Sequence, residues 1–184
     1  KSWLVFADNS ELGAALVRQL RTGGARCRVG RIGNDFAFDG TDAFTLRPGT
    51  FEDWQKLVEA CAETPPERVV YLWNLEEKIG QSDTLDALLH FTNALEAARP
   101  AAKLRLDLVT RNAQTAGSEV LPSAVAQAPA IGLMRVILNE YSNLAWRSID
   151  LPAESSSADA AALWSELLRK DGEREIALRG EARY

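Results

Sequence analysis

Histidine and cysteine are almost missing from this chain of 184 residues: His90 stands alone, and Cys27 and Cys61 lie far apart with no CxxC pair. One imidazole and two separated thiols leave a zinc or iron centre almost without ligands, and a disulfide framework without its members. The two cysteines are read as reduced packing residues, which, with no secretory leader, predicts a cytoplasmic setting. No apolar run approaches the roughly 20 residues that a membrane span needs, so a soluble chain is expected. Positive charge is short as well, 21 Lys and Arg against 26 Asp and Glu, and the arginines are scattered among acids. The resulting net charge of -5 supplies no basic field for a phosphate backbone, and nucleic acid is not an expected partner.

Glycine is missing where one stretch most needs it. The apolar run Trp3-Leu4-Val5-Phe6 reads as a buried parallel strand, followed by a short polar turn and a helix whose apolar face carries Leu12, Ala15, Leu16 and Leu20. This is the opening of a nucleotide-binding βαβ unit, where such folds place a glycine-rich phosphate loop. Short-chain reductases write that turn T-G-x-x-x-G-x-G, which falls here on Phe6 to Gly13. Only Gly13 remains; Ala7 and Glu11 replace the glycines that let backbone approach a pyrophosphate. Asp8 and Glu11 set negative charge where an anion would sit, and read as helix-start charges that complement the dipole. The expectation is Rossmann-like architecture with no cofactor-binding residues.

The rest of the chain alternates strands and helices. Gly23-Gly24 stops the first helix, and 26–30 is the second strand. A polar stretch over 31–42 reads as a loop or short hairpin before a strand at 43–46. Thr50 is placed as the N-cap of a helix through Trp54, Leu57, Val58 and Cys61, with Asp53 reaching back to it. Pro65-Pro66 ends that helix and 68–73 is the next strand. Ser82 caps a long helix through Leu85, Leu88, Leu89, Phe91, Leu95 and Ala98, ended by Pro100. A strand at 103–110 is followed by a long loop, then by a helix opened by Pro129 and carrying Leu133, Val136, Ile137, Leu138 and Tyr141. A strand at 145–151, a helix opened by Ser157 or Asp159 through Leu163, Trp164, Leu167 and Leu168, a stop at Asp171-Gly172 and a strand at 175–179 complete the pattern. It predicts one α/β domain over 1–184, a mostly parallel sheet flanked by helices with right-handed crossovers. Lys1 and Tyr184 lie almost directly on strands, which reads as a segment excised from a longer polypeptide.

Five phrases carry a resemblance: Trp3 to Asp8, Val69 to Leu75, Leu108 to Gln114, Ala128 to Ile137 with Asn139-Glu140-Tyr141, and Ile176 to Gly180. In order and spacing they resemble the structural subdomain of ketoreductases in modular type I polyketide synthases. The resemblance implies a truncated Rossmann-like fold of short-chain reductase type that binds no cofactor and packs on a catalytic subdomain. That partner would hold NADPH and reduce the β-keto group of a chain carried on an acyl carrier protein. The catalytic Tyr, Ser and Lys set of the partner half has no match here: Tyr141 is followed at the fourth position by Ala145 and Tyr71 by Leu75. Met134 stands where the G-L-G-R phrase has a small residue. The resemblance extends to the pseudo-ketoreductase form, which sits beside a methyltransferase, dehydratase or enoylreductase domain of the same polypeptide.

Other chemistry-bearing residues receive bland readings. His90 is a helix-surface or packing residue, since spacing supplies it no partner. Glu76, Glu77 and Lys78 follow a strand's carboxyl end, where α/β sheets build sites, and read as a solvated loop. Ser118 and Ser123 lie outside any G-x-S-x-G elbow. Trp3, Trp54, Trp73, Trp146 and Trp164 are mostly core. The expected site is therefore empty of catalytic, cofactor-binding and metal residues, and the function that of a non-catalytic scaffold. Two rivals stay open: a divergent NADP-dependent reductase, and a module that docks an acyl carrier protein.

Overall fold

The computed structural model describes the chain apart from residues 77–79, 100–102, 118–126 and 142. Its centre is β1 (Ser2–Phe6), which pairs in parallel with β2 (Arg26–Ile32) on one side and β5 (Arg68–Tyr71) on the other. The sheet runs β3-β4-β2-β1-β5-β6-β7-β8-β9, with β4 (Ala43–Leu46), β6 (Leu104–Arg111), β7 (Leu144–Leu151) and β8 (Glu175–Arg179). Every pairing from β4 to β8 is parallel, and only the two-residue edges β3 (Ala37–Phe38) and β9 (Ala182–Arg183) run antiparallel. The α/β, mostly parallel Rossmann-like sheet is thus as expected.

Alternation along β1 separates two cores. Leu4 and Phe6 face α2 (Phe51–Ala60), α3 (Gln81–Ala98) and α4 (Ala128–Glu140), whereas Trp3 and Val5 face α1 (Glu11–Thr22) and α5 (Asp159–Leu168). The first core is built on aromatic rings: Phe6, Trp54, Tyr71, Trp73 and Phe91 meet at centroid distances of 5.1 to 5.9 Å, mostly tilted or edge-on. Cys61 packs in this core and Cys27 in the other, both free and buried. Burial pushes the Cys27 thiol up to about 11, the state of a packing residue.

The second core carries a charged network. Asp107 of β6 accepts from Arg68 (3.2 Å), Arg105 (3.2 Å) and Arg147 (2.8 Å), and Arg147 continues to Glu166 of α5 (3.1 Å), which also pairs with Arg183 (2.8 Å). Arg147, Asp107 and Glu166 are buried, so each charge depends on its neighbours for the hydration it has lost.

Where β2 returns to β4 the chain uses a turn and the β3 hairpin in place of a crossover helix; this is the truncation. Asp39 holds the hairpin, its Oδ1 accepting from the amides of Ala43, Asp42 and Thr41. Those bonds, the Ala43 amide foremost, lower its carboxyl to about 2. At the end of α1, Gly24 takes φ +74° while the Ala25 amide closes on Leu20 O (3.0 Å), as a left-handed helix stop requires.

Several boundaries differ from the sequence reading. β5 stops at Tyr71, two residues early, because Leu72 turns helical and Trp73–Leu75 form one 3-10 turn. Asp53 does not reach Thr50; it accepts from the Arg47 amide (3.0 Å) and guanidinium (2.9 and 2.8 Å), and Thr50 makes no side-chain cap. α3 begins at Gln81 after Gly80, so Ser82 is inside the helix. In α4 the inward residues are Ala130, Ile131, Met134 and Ile137, while Val136 is 57% exposed. The Arg135 guanidinium donates to Glu175 of β8 through two 2.7 Å bonds on the exposed side of that helix. α5 begins at Asp159, Leu168 is exposed, and the β9 edge adds a pairing not expected. Pro100 and the side chain of Leu138 lie outside the described residues.

Candidate functional site

Crossovers leave β1 and β5 in opposite directions, so the crevice at their carboxyl ends is the topological switch point where open α/β sheets take ligands. The turn from Ala7 to Gly13 forms its floor. Ala7 is buried, its amide donating to Gly30 O (3.0 Å) and its carbonyl accepting the Trp73 indole N–H (3.1 Å). Asp8 is 4% exposed and its Oδ1 has no hydrogen-bond partner. Burial raises this carboxyl above the ordinary carboxylate value, with Glu76 adding to the rise and the Ser10 hydroxyl opposing it. A Cβ on Gly13 would lie 2.5 Å from Asp8 Oδ1, so this glycine is required by close packing of strand and helix.

The remaining groups of the turn are engaged internally. The Asn9 amide donates to Glu76 Oε2 (3.0 Å), and Ser10 caps α1 by accepting from the Leu12 amide (3.1 Å). Glu11 is exposed in the first helical turn and pairs with Arg18. Arg31 of β2 donates to Asp8 O (3.2 Å) from the other side. An anion entering here faces the carboxylates of Glu11 and Glu76, with the Asn9 and Leu12 amides already bonded within the chain.

Beyond the turn the crevice opens into a cleft of about 820 Å³ between α1 and α5, bordered by Arg111, Gln127, Ser155, Ser156 and Asp159. Its polar groups largely satisfy one another. Arg111 donates to Pro152 O (2.6 Å) and Asp159 Oδ2 (2.7 Å), and Gln127 Oε1 accepts from the Arg111 amide (2.8 Å). Asp150 accepts from Thr110 Oγ1 (2.6 Å), the Ala113 amide (2.8 Å) and Arg179 (2.7 Å).

The titratable residues singled out from the sequence do not converge. His90 Nδ1 lies 3.4 Å from Pro48 O with its ring edge-on to Phe51. The Tyr71 hydroxyl is buried against Thr84 O (3.4 Å), and burial raises its pKa. Tyr141 donates to Asn93 Oδ1 (2.8 Å) where α4 ends, at the amino ends of the strands and so away from the crevice. Trp3, Trp54, Trp73 and Trp146 are buried and Trp164 half-buried. Glu77, Lys78, Ser118 and Ser123 lie outside the described residues. Among the described residues no three His, Cys, Asp or Glu side chains are grouped to hold a metal ion, and no helix is long and apolar enough to cross a membrane. Sequence reasoning missed the bond between Glu76 and Asn9, 67 residues apart, for which no local signal exists. It also missed the buried arginine network, which the charges alternating through Leu104-Arg105-Leu106-Asp107-Leu108 do announce.

The family model described as Beta-ketoacyl synthase-like, N-terminal matches residues 1–163. The chain belongs to this family. No curated protein matches the sequence of this Beta-ketoacyl synthase-like chain. Among solved structures it is similar to an adenylation, ketoreductase and pseudo Asub multidomain structure of a keto acid-selecting NRPS module, at 22% identity and TM-score 0.82, over 100% of this chain and 16% of that one. It is also similar to a C2-type ketoreductase from a modular polyketide synthase, at 24% identity and TM-score 0.75, over 99% of this chain and 39% of that one. A third is a short-chain dehydrogenase/reductase oxidoreductase from Brucella ovis, in complex with a partially ordered NAD, at 15% identity and TM-score 0.64, over 97% and 99% of the two chains. The family member described here thus spans less than two fifths of the ketoreductase and a sixth of the NRPS module. The fold implied by the resemblance to polyketide synthase ketoreductases is thus found in solved ketoreductase structures.

Proposed function

We propose that this chain is a non-catalytic structural unit in the reductase region of a polyketide synthase. In this reading it is one Rossmann-like domain of a longer polypeptide, and it positions a neighbouring domain that processes the β-keto group. The observation that carries the reading is the turn after β1, where Asp8 and Glu76 lie and where the Asn9 and Leu12 amides are committed to internal acceptors. A dinucleotide's diphosphate needs free amides and no opposing charge at that point. The residues present do not fit it, and no catalytic step is assigned to the chain. NADPH belongs in this reading to a catalytic partner half, which a pseudo-ketoreductase would lack. The enoylreductase, dehydratase and methyltransferase domains are the alternative neighbours, and the acyl carrier protein approaches the assembly rather than this site.

The burial of the Tyr71 hydroxyl against Thr84 O and the distant position of Tyr141 support the same conclusion, because a proton donor for carbonyl reduction must be exposed at the crevice. Mixing the purified chain with NADPH and a model β-ketothioester is predicted to give no turnover, while co-expression with a catalytic ketoreductase half gives a complex that co-elutes on size exclusion. Turnover by the chain alone would assign it to the divergent reductases instead.

A further inference from the structure

We propose that Trp73 and Glu76 form an internal latch that ties the loop after β5 to the turn after β1 at the edge of the crevice. It deepens the cofactor-free reading above and rests on it for its meaning. Two hydrogen bonds join segments 66 and 67 residues apart: Trp73 Nε1 to Ala7 O (3.1 Å) and the Asn9 amide to Glu76 Oε2 (3.0 Å). Between the strand pairing and these bonds, the Leu72 amide continues the β1–β5 ladder to Phe6 O (2.9 Å). The loop after β5 is therefore fastened to the turn after β1 at three successive levels, from the sheet to the rim.

The lower bond is anchored by packing. Trp73 is fully buried, in contact with Phe6, Trp54 and Tyr71, so lifting the loop would bring a large indole into water. The upper bond places a carboxylate beside the start of α1, where the partial positive charge of the helix favours it. Asp8 and Glu11 are the other acids at this rim, and Arg31 and Arg18 the cations, bonded to Asp8 O and Glu11 respectively. The chain thus supplies its own acceptor to an amide that an external anion could otherwise use.

Amide hydrogen exchange followed by NMR on the full chain tests the latch with the variants E76A, E76Q and W73F. In E76A the Asn9 amide is expected to exchange about tenfold faster, the effect of losing one hydrogen bond to a charged acceptor, while Val5 and Val70 keep their rates. E76Q retains an acceptor oxygen without the charge and is expected to stay within about threefold of the wild type. W73F keeps an aromatic ring, though a smaller one, and loses the N–H, and is expected to speed exchange at Leu75 and Glu76. Unchanged Asn9 exchange in E76A, or equal acceleration at Val5 and Val70, would overturn the latch. If E76A does not fold, unchanged exchange at Leu75 and Glu76 in W73F overturns it. Saturable NADPH binding to the wild type would overturn the cofactor-free reading separately, since the Asn9 rates decide the latch alone.

Discussion

Asp8 and Gly13 constrain each other, and each makes a prediction. A methyl group at 13 would stand 2.5 Å from Asp8 Oδ1, the end of a short side chain that is buried, and 3.3 Å from the backbone Asp8 O. G13A is expected to lower stability by about 1–3 kcal/mol, read as a shifted midpoint in urea unfolding. For Asp8, burial raises the folded-state pKa above its ordinary 3.8, so the folded chain holds this proton more tightly than the unfolded chain does. Stability from this residue accordingly falls as pH rises from about 3.8 through the folded value. D8N removes that loss: it is expected to be more stable than the wild type at pH 7, with the advantage vanishing below about pH 4. A constant difference across that range would contradict the burial of a charge at this turn. Three guanidinium groups depend on Asp107. D107A, which takes its carboxylate from buried Arg68 and leaves buried Arg147 with Glu166 alone, is expected to cost about 3–5 kcal/mol.

At the scale of elements, α2 separates two accounts of one carboxylate. Thr50 makes no side-chain cap, so T50A is expected to change stability by under about 0.5 kcal/mol. Asp53 accepts three bonds from Arg47 with its side chain fully shielded, so D53A is expected to cost about 1–3 kcal/mol in the same unfolding assay. The order of these two values distinguishes the observed contact from the capping box that the spacing suggests. Strands were legible where apolar residues run unbroken, as in Trp3–Phe6 of β1 and Ile176–Leu178 of β8, because a sheet covered on both faces asks for nothing else. The end of β5 was not, because Leu72 and Trp73 continue the apolar run while the backbone has already turned to bring the indole N–H to Ala7 O. The face of α4 was misread at Val136 because apolar residues surround that helix, and the stripe of Ala130, Ile131, Met134 and Ile137 is the one that meets the core. β3 and β9, two residues each, are too short to carry any period.

For the whole molecule, a mostly parallel sheet flanked by helices follows from the alternation of strands and helices and was readable in the sequence, whereas the order of the strands is set by pairings that no local signal announces. The altered phosphate turn was readable too, since Ala7 and Glu11 stand where glycine is needed. What fastens the turn was not, because Glu76 and Trp73 reach it across more than sixty residues and only the folded sheet brings them there. The account therefore turns on whether a chain of this fold can still take a dinucleotide. Titrating it with NADPH while following nicotinamide fluorescence is the direct measurement: the spectrum should remain that of the free coenzyme throughout, whereas a saturable change in the micromolar range would contradict the account.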